Sequence, residues 1–134
     1  MRRVFTMMAL ALAGAAMAGA SAPAETIDGL WRSPDGKKGS YLHVQVQPCA
    51  ANTDARCGTV TGTFAGAKEQ ALGRQVMRDM QPQPDGTWEG TVIQPLKGDV
   101  YNSRISPAAD GTMVVEGCVL GMLLCRKQTW TRVN

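Results

Sequence analysis

His43 is the only histidine of the 134-residue chain, so acid–base chemistry near neutral pH would have to come from it or from paired carboxylates. It stands in SYLHVQVQ, where Leu42, Val44 and Val46 alternate with Tyr41, His43, Gln45 and Gln47. That alternation puts the imidazole on the polar face of a strand, as a solvated side chain rather than a general base. Among the carboxylates, Asp35, Asp85 and Asp110 belong to turn sequences, which leaves Asp79, Glu89 and Glu116 on strand-like segments. Any two of these could approach across a sheet, but their spacing does not bring them together. No G-x-S-x-G, H-E-x-x-H or phosphate-binding loop occurs, so no catalytic residue and no cofactor is assigned.

The sulfur chemistry is more definite. Cys49, Cys57, Cys118 and Cys125 have neither C-x-x-C spacing nor histidine neighbours, which argues against a metal site. An even count in an oxidising compartment reads as two disulfides, and each of the pairs 49/57 and 118/125 brackets a hairpin turn. In GCVLGMLLC, a turn centred on Gly121-Met122 sets Leu120 opposite Leu123, Val119 opposite Leu124 and Cys118 opposite Cys125. Glycine at the first central position suits a type II′ turn, whereas a four-residue loop would put the cysteines at the closer, non-hydrogen-bonded kind of site. A bridge closing so short a loop stabilises by roughly 2.5 kcal/mol.

The elements that hold these groups are strands. Eight segments rich in β-branched and aromatic residues are predicted, at 27–33, 40–48, 57–64, 74–81, 87–94, 99–105, 112–119 and 124–133. CGTVTGTF sets Val60 and Phe64 on one face, opposite Thr59, Thr61 and Thr63. Asp-Gly dipeptides in SPDGK, QPDGT and AADGT, and the LKGD sequence, mark hairpin turns. Only AGAKEQALG has helical character, as a loop or single turn at a barrel rim. The expected fold is all-β: an eight-stranded antiparallel up-and-down barrel, which removes the sheet edges that invite aggregation.

Ahead of the strands, residues 1–24 read as a signal peptide: Arg2 and Arg3, then an apolar run, then small residues at A-x-A spacing, with cuts after Ala18, Ala20 or Ala24. The run is too short and too rich in Ala and Gly for a stable membrane span. A Sec signal is favoured over a twin-arginine one, and the expected location is the periplasm or the exterior. Cutting after Ala24 leaves residues 25–134 as one barrel domain. Loss of Arg2 and Arg3 lowers Lys plus Arg from 14 to 12 against 11 acidic residues, so the net charge falls from +3 to +1. No basic face for nucleic acid is expected from such a balance.

The ordered series GLWRSPDG, CGTV, WEGTVIQPLKGDVY and GCVLGMLLCRKQTWTRV resembles the bacterial domain-of-unknown-function family 2147, small exported proteins, over residues 27–133. The resemblance implies a lipocalin-like (calycin) barrel and no established activity. Gly29-Leu30-Trp31 is similar to the G-x-W of lipocalins, where the tryptophan packs at the closed end beneath an arginine from a late segment. The position carried over for that arginine is Arg132, two residues after Trp130, so barrel closure falls to Gly29, Trp31, Trp130 and Arg132.

If the lumen is open, its aromatics and any inward arginine would form the site. The ligand-binding candidates are Trp31, Phe64, Trp88 and Tyr101, with Arg78 and Arg104 as strand arginines that could meet an acyl carboxylate; Arg74 shares that strand setting. An inward arginine needs a partner, because an unpaired buried charge is costly. The hairpin tip supplies a second kind of candidate. Leu120, Met122 and Leu123 cannot all face inward, which makes them partner-contact residues. Three roles follow: a binder of a small hydrophobic or amphipathic ligand, an envelope interaction or inhibitor protein with a filled lumen, and a carboxylate-dependent enzyme.

Overall fold

The computed structural model describes residues 26–133; the expected signal peptide lies outside the described residues. Eight strands follow in order: β1 (Gly29–Arg32), β2 (Tyr41–Pro48), β3 (Arg56–Phe64), β4 (Gln75–Pro82), β5 (Trp88–Ile93), β6 (Val100–Pro107), β7 (Thr112–Val119) and β8 (Leu124–Arg132). Each pairs antiparallel with the next, and β8 returns to β1 through Trp31 opposite Arg132 and Arg32 opposite Thr131. The result is a closed up-and-down barrel. AGAKEQALG contributes one 3-10 turn, Glu69–Ala71, between β3 and β4. No helix among the described residues is long and apolar enough to cross a membrane.

Turn chemistry accounts for the links. Asp85 accepts hydrogen bonds from the Thr87 amide (3.0 Å) and hydroxyl (2.6 Å), and Asp110 does the same for Thr112 at the same distances. In SPDGKKGS the left-handed residue is Gly39 (φ 80°), not Gly36, since the turn runs from Gly36 to Gly39, with Gly39 N donating to Gly36 O at 3.0 Å.

Register departs from plain alternation at bulges, and these decide which side chains face inward. Thr61 is an extra residue in β3, since His43 opposes Gly62 while Val44 opposes Val60. The face therefore flips between Val60 and Gly62. Val60 is buried, whereas Phe64 is turned to the outside, stacked on Tyr41 at 5.0 Å and 4.3 Å from the His43 ring. The expectation that Val60 and Phe64 share a face is thus corrected. In β4 the register shifts again, so that Val76, Met77 and Met80 are all buried. Asp79 adopts φ 51° where β4 slips against β5, and its backbone comes so near Gly90 that a β-carbon there would lie 2.6 Å from the Asp79 oxygen.

One end of the barrel is sealed. The Trp31 Nε1 donates to Ile27 O at 2.8 Å, and Arg132 lies over the Trp31 ring at 4.4 Å. Arg132 also donates to Asp28 O (2.6 Å) and Thr26 O (3.1 Å), tying the incoming segment across the barrel floor. Gly29 at φ 129° makes the turn into β1, a conformation in which a β-carbon would be strained. Arg56 pairs with Asp28 and reaches over Trp88 at 5.4 Å. Beneath these, Ile27, Trp31, Trp88, Met80, Ile105 and Met113 fill the lower lumen.

Candidate functional site

Above this packed floor the lumen is open. A cavity of about 810 Å³ lies toward the end where β5–β6 and β7–β8 connect, a size within the range of small-molecule sites. Its walls include Val76, Val92, Tyr101, Val115 and Val119, with Trp130 among them. The polar lining is sparse: Gln94, Gln128 and Arg126. Trp130 Nε1 donates to Gln128 Oε1 at 3.1 Å, which fixes the glutamine.

The ladder between β7 and β8 explains why an arginine is here. Met113, Val115, Gly117 and Val119 face the interior, and they oppose Trp130, Gln128, Arg126 and Leu124. Arg126 is the one lining residue that carries a full charge, and no lining residue is acidic. Its guanidinium makes no ion pair with any described residue, and the residue is exposed through the mouth of the cup. On the same rung, across β7 from it, Ser103 is 1% exposed, opposes the lining residue Gly117, and its hydroxyl makes no hydrogen bond to a described residue.

Of the ligand-binding candidates read from sequence, Tyr101 alone lines the cup. Trp31 and Trp88 belong to the packed floor, and Phe64 is outside. Arg104 faces outward between Glu89 (2.9 Å) and the opposing Glu116, while Lys127 reaches Glu116 at 3.5 Å. These four make an alternating charge ladder across β5 to β8, and the hydrogen bond to Glu89 pushes the Arg104 pKa above its ordinary value. Arg78 also points outward, beside Asp79, on the face opposite the inward Met77. Neither arginine can meet a ligand in the lumen. Trp130, placed with barrel closure by the resemblance, instead walls the cup, while Arg132 and Trp31 make the closure contact. Arg74 donates to Gln70 O at 3.2 Å in the β3–β4 link.

Arg126 escaped the sequence reading although a signal was present. Counting back by twos from Trp130 gives Gln128, Arg126 and Leu124 on one face.

Both disulfides close hairpins, Cys49–Cys57 with Cα atoms 5.0 Å apart and Cys118–Cys125 at 4.1 Å. The β7–β8 loop is Leu120–Leu123, and Leu123 N donates to Leu120 O at 3.3 Å around Gly121 (φ 69°) and Met122. The short Cα separation fits the closer kind of antiparallel site. The Asp79 carboxylate lies within 4.8 Å of the sulfurs of Cys49 and Cys57, but both sulfurs are bonded to each other and offer no thiolate to a metal.

A profile of the bacterial family described as "Uncharacterized protein conserved in bacteria (DUF2147)" matches residues 29–132. The chain belongs to this family. In fold it is similar to a solved structure described as "Protein HP1028 from the human pathogen Helicobacter pylori belongs to the lipocalin family". That likeness has a TM-score of 0.66 at 11% identity and covers 81% of this chain and 84% of that one. No curated protein sequence matches the chain. This family member therefore has a lipocalin-like barrel.

Proposed function

We propose that the protein is an exported binder of a small amphipathic anion, holding the apolar part in the cup and the anionic head at Arg126. The observation that carries this reading is the lone guanidinium of Arg126 in a cup with no acidic lining residue. A charge facing an apolar wall is stabilised by an opposite charge with acceptor oxygens, and guanidinium matches carboxylate geometry in a bidentate fork. Val92, Tyr101 and Val115 offer the complementary apolar surface for a chain or ring system.

The role is binding rather than catalysis. His43 lies outside the barrel against Phe64, and Glu89 and Glu116 are engaged by Arg104 and Lys127 on the outer face. Export to the periplasm or exterior is supported by the signal-peptide character of residues 1–24 and by two disulfides, which persist in oxidising compartments. The test is mass spectrometry of organic extracts from protein purified out of its native compartment, wild type beside Arg126→Gln. Enrichment of an amphipathic anion in the wild type alone is expected. Extracts without any bound small molecule, or with a cation, would overturn the reading.

A further inference from the structure

The up-and-down topology sends the β1–β2, β3–β4, β5–β6 and β7–β8 connections to one end, the end where the cup opens. Apart from Val133, every exposed large apolar side chain among the described residues lies at that end. The β7–β8 tip dominates it, with Leu120 75%, Leu123 70% and Leu124 61% exposed. Leu72 and Leu96 project from the neighbouring connections. Such a concentration is more than the scattered exposure normal for a surface.

The tip is not slack. Cys118–Cys125 closes its base, and Asn102 Nδ2 donates to Gly121 O at 3.1 Å, tying it to β6. Leu120 is held at φ 52°, a backbone conformation that residues with a branched or bulky side chain rarely adopt. The leucines are thus presented outward by a fixed scaffold.

Charge is divided along the same axis. The open-end connections carry Lys37, Lys38, Lys68, Arg74 and Lys97 against Asp35, Glu69 and Asp99. The connections at the sealed end contain Asp54, Asp85 and Asp110 and no Lys or Arg. Apolar side chains beside connections of net charge +2 (five basic less three acidic), opposite a sealed end whose connections carry only acidic charge, match one occupant best, a bilayer with anionic headgroups. A second copy seated end to end about a two-fold axis would set the basic loops against each other.

We propose that the open end docks on an anionic membrane surface, with Leu120 and Leu123 entering the headgroup boundary and the basic loops bound to lipid phosphates. The proposal does not require the cup to hold a ligand. It is tested by flotation of the protein, as its producing cells process and oxidise it, with vesicles of phosphatidylcholine alone or with 30% phosphatidylglycerol (about one anionic lipid in three). Binding to the anionic vesicles is expected, falling in high salt, with little binding to the neutral ones. Leu120→Ser with Leu123→Ser should weaken it by at least about tenfold, since each leucine withholds its full apolar area. Lys37→Glu with Lys38→Glu, remote from the tip, should weaken it on the order of tenfold. Equal binding to both vesicle types, no binding to either, or indifference to the loop variant would overturn the proposal. So would sedimentation showing that the tip instead mediates self-association.

Discussion

The Arg132 guanidinium lies 4.4 Å from the centre of the Trp31 ring, joining the last strand to the first where the barrel closes. The same side chain donates to Asp28 O and Thr26 O, so one residue holds the indole and the segment crossing the floor. Arg132→Ala should cost about 1–3 kcal/mol. That corresponds to a fall of several degrees in Tm. Adding Trp31→Ala should cost less than the two single losses summed, because each removes the other's partner. Strict additivity in thermal melts would show that the contact contributes nothing.

The β4 bulge makes a second prediction. A β-carbon at Gly90 would meet the Asp79 carbonyl oxygen at 2.6 Å, and its three nearest atoms are all backbone of Arg78 and Asp79, which cannot swing aside as a side chain could. Gly90→Ala should destabilise by at least about 1–3 kcal/mol, as overpacking does. Gly117→Ala is the control, since its nearest neighbour is a Val92 methyl at 3.5 Å, ordinary contact distance. It should leave Tm nearly unchanged while narrowing the cup. Equal effects of the two substitutions would refute the close approach of β4 and β5.

Ser103 offers a test in the opposite direction. Its buried hydroxyl has no hydrogen-bond partner among the described residues, so the folded state carries the desolvation cost without a return. Ser103→Ala should therefore leave the protein as stable or raise its stability by up to about 1 kcal/mol. A clear fall in the denaturant midpoint would mean that the hydroxyl is satisfied.

Acid should weaken the barrel through its turns. Hydrogen bonds from the Thr87 hydroxyl and amide hold Asp85 below the usual carboxylate range, and those from Thr112 do so for Asp110. A folded pKa below the unfolded one gives stability that is fully present above about pH 4. It is lost as pH falls through the lowered folded values. Tm measured from pH 6 downward should drop less steeply below about pH 4 for Asp85→Asn with Asp110→Asn than for the wild type. Parallel curves would contradict the assignment.

The fold was legible because its local signals agree with one another. Asp-Gly turns, strict alternation in SYLHVQVQ and cysteines flanking hairpins all call for the same meander, and the strand ends differ from expectation by at most two residues. The site was less legible for two physical reasons. Bulges at Thr61, Val76 and Asp79 break the period of two, so Phe64 changes face and β4 buries Val76, Met77 and Met80. Along β8 the inward face reads Leu124, Arg126, Gln128 and Trp130, of which only Trp130 is buried, so no apolar stripe marks the lumen. Arg78 and Arg104 drew attention as strand arginines, but both sit on the outer face beside carboxylates, Arg78 next to the adjacent Asp79 and Arg104 paired with Glu89 on the neighbouring strand. For Arg104 that pairing is tertiary, whereas the inward place of Arg126 follows from the period of two counted back from Trp130.

The central claim is that Arg126 selects an anionic amphiphile in the cup. The most direct measurement is calorimetric titration of the disulfide-bonded protein with dodecanoate and, separately, with dodecanol. Wild type should prefer the carboxylate by about tenfold or more, the worth of a charge-assisted hydrogen bond. Both ligands should bind with a negative heat-capacity change from burial of the chain. Arg126→Gln should keep alcohol binding and lose the preference for carboxylate. Equal affinity of the wild type for both ligands, or a carboxylate preference that survives in Arg126→Gln, would contradict the account.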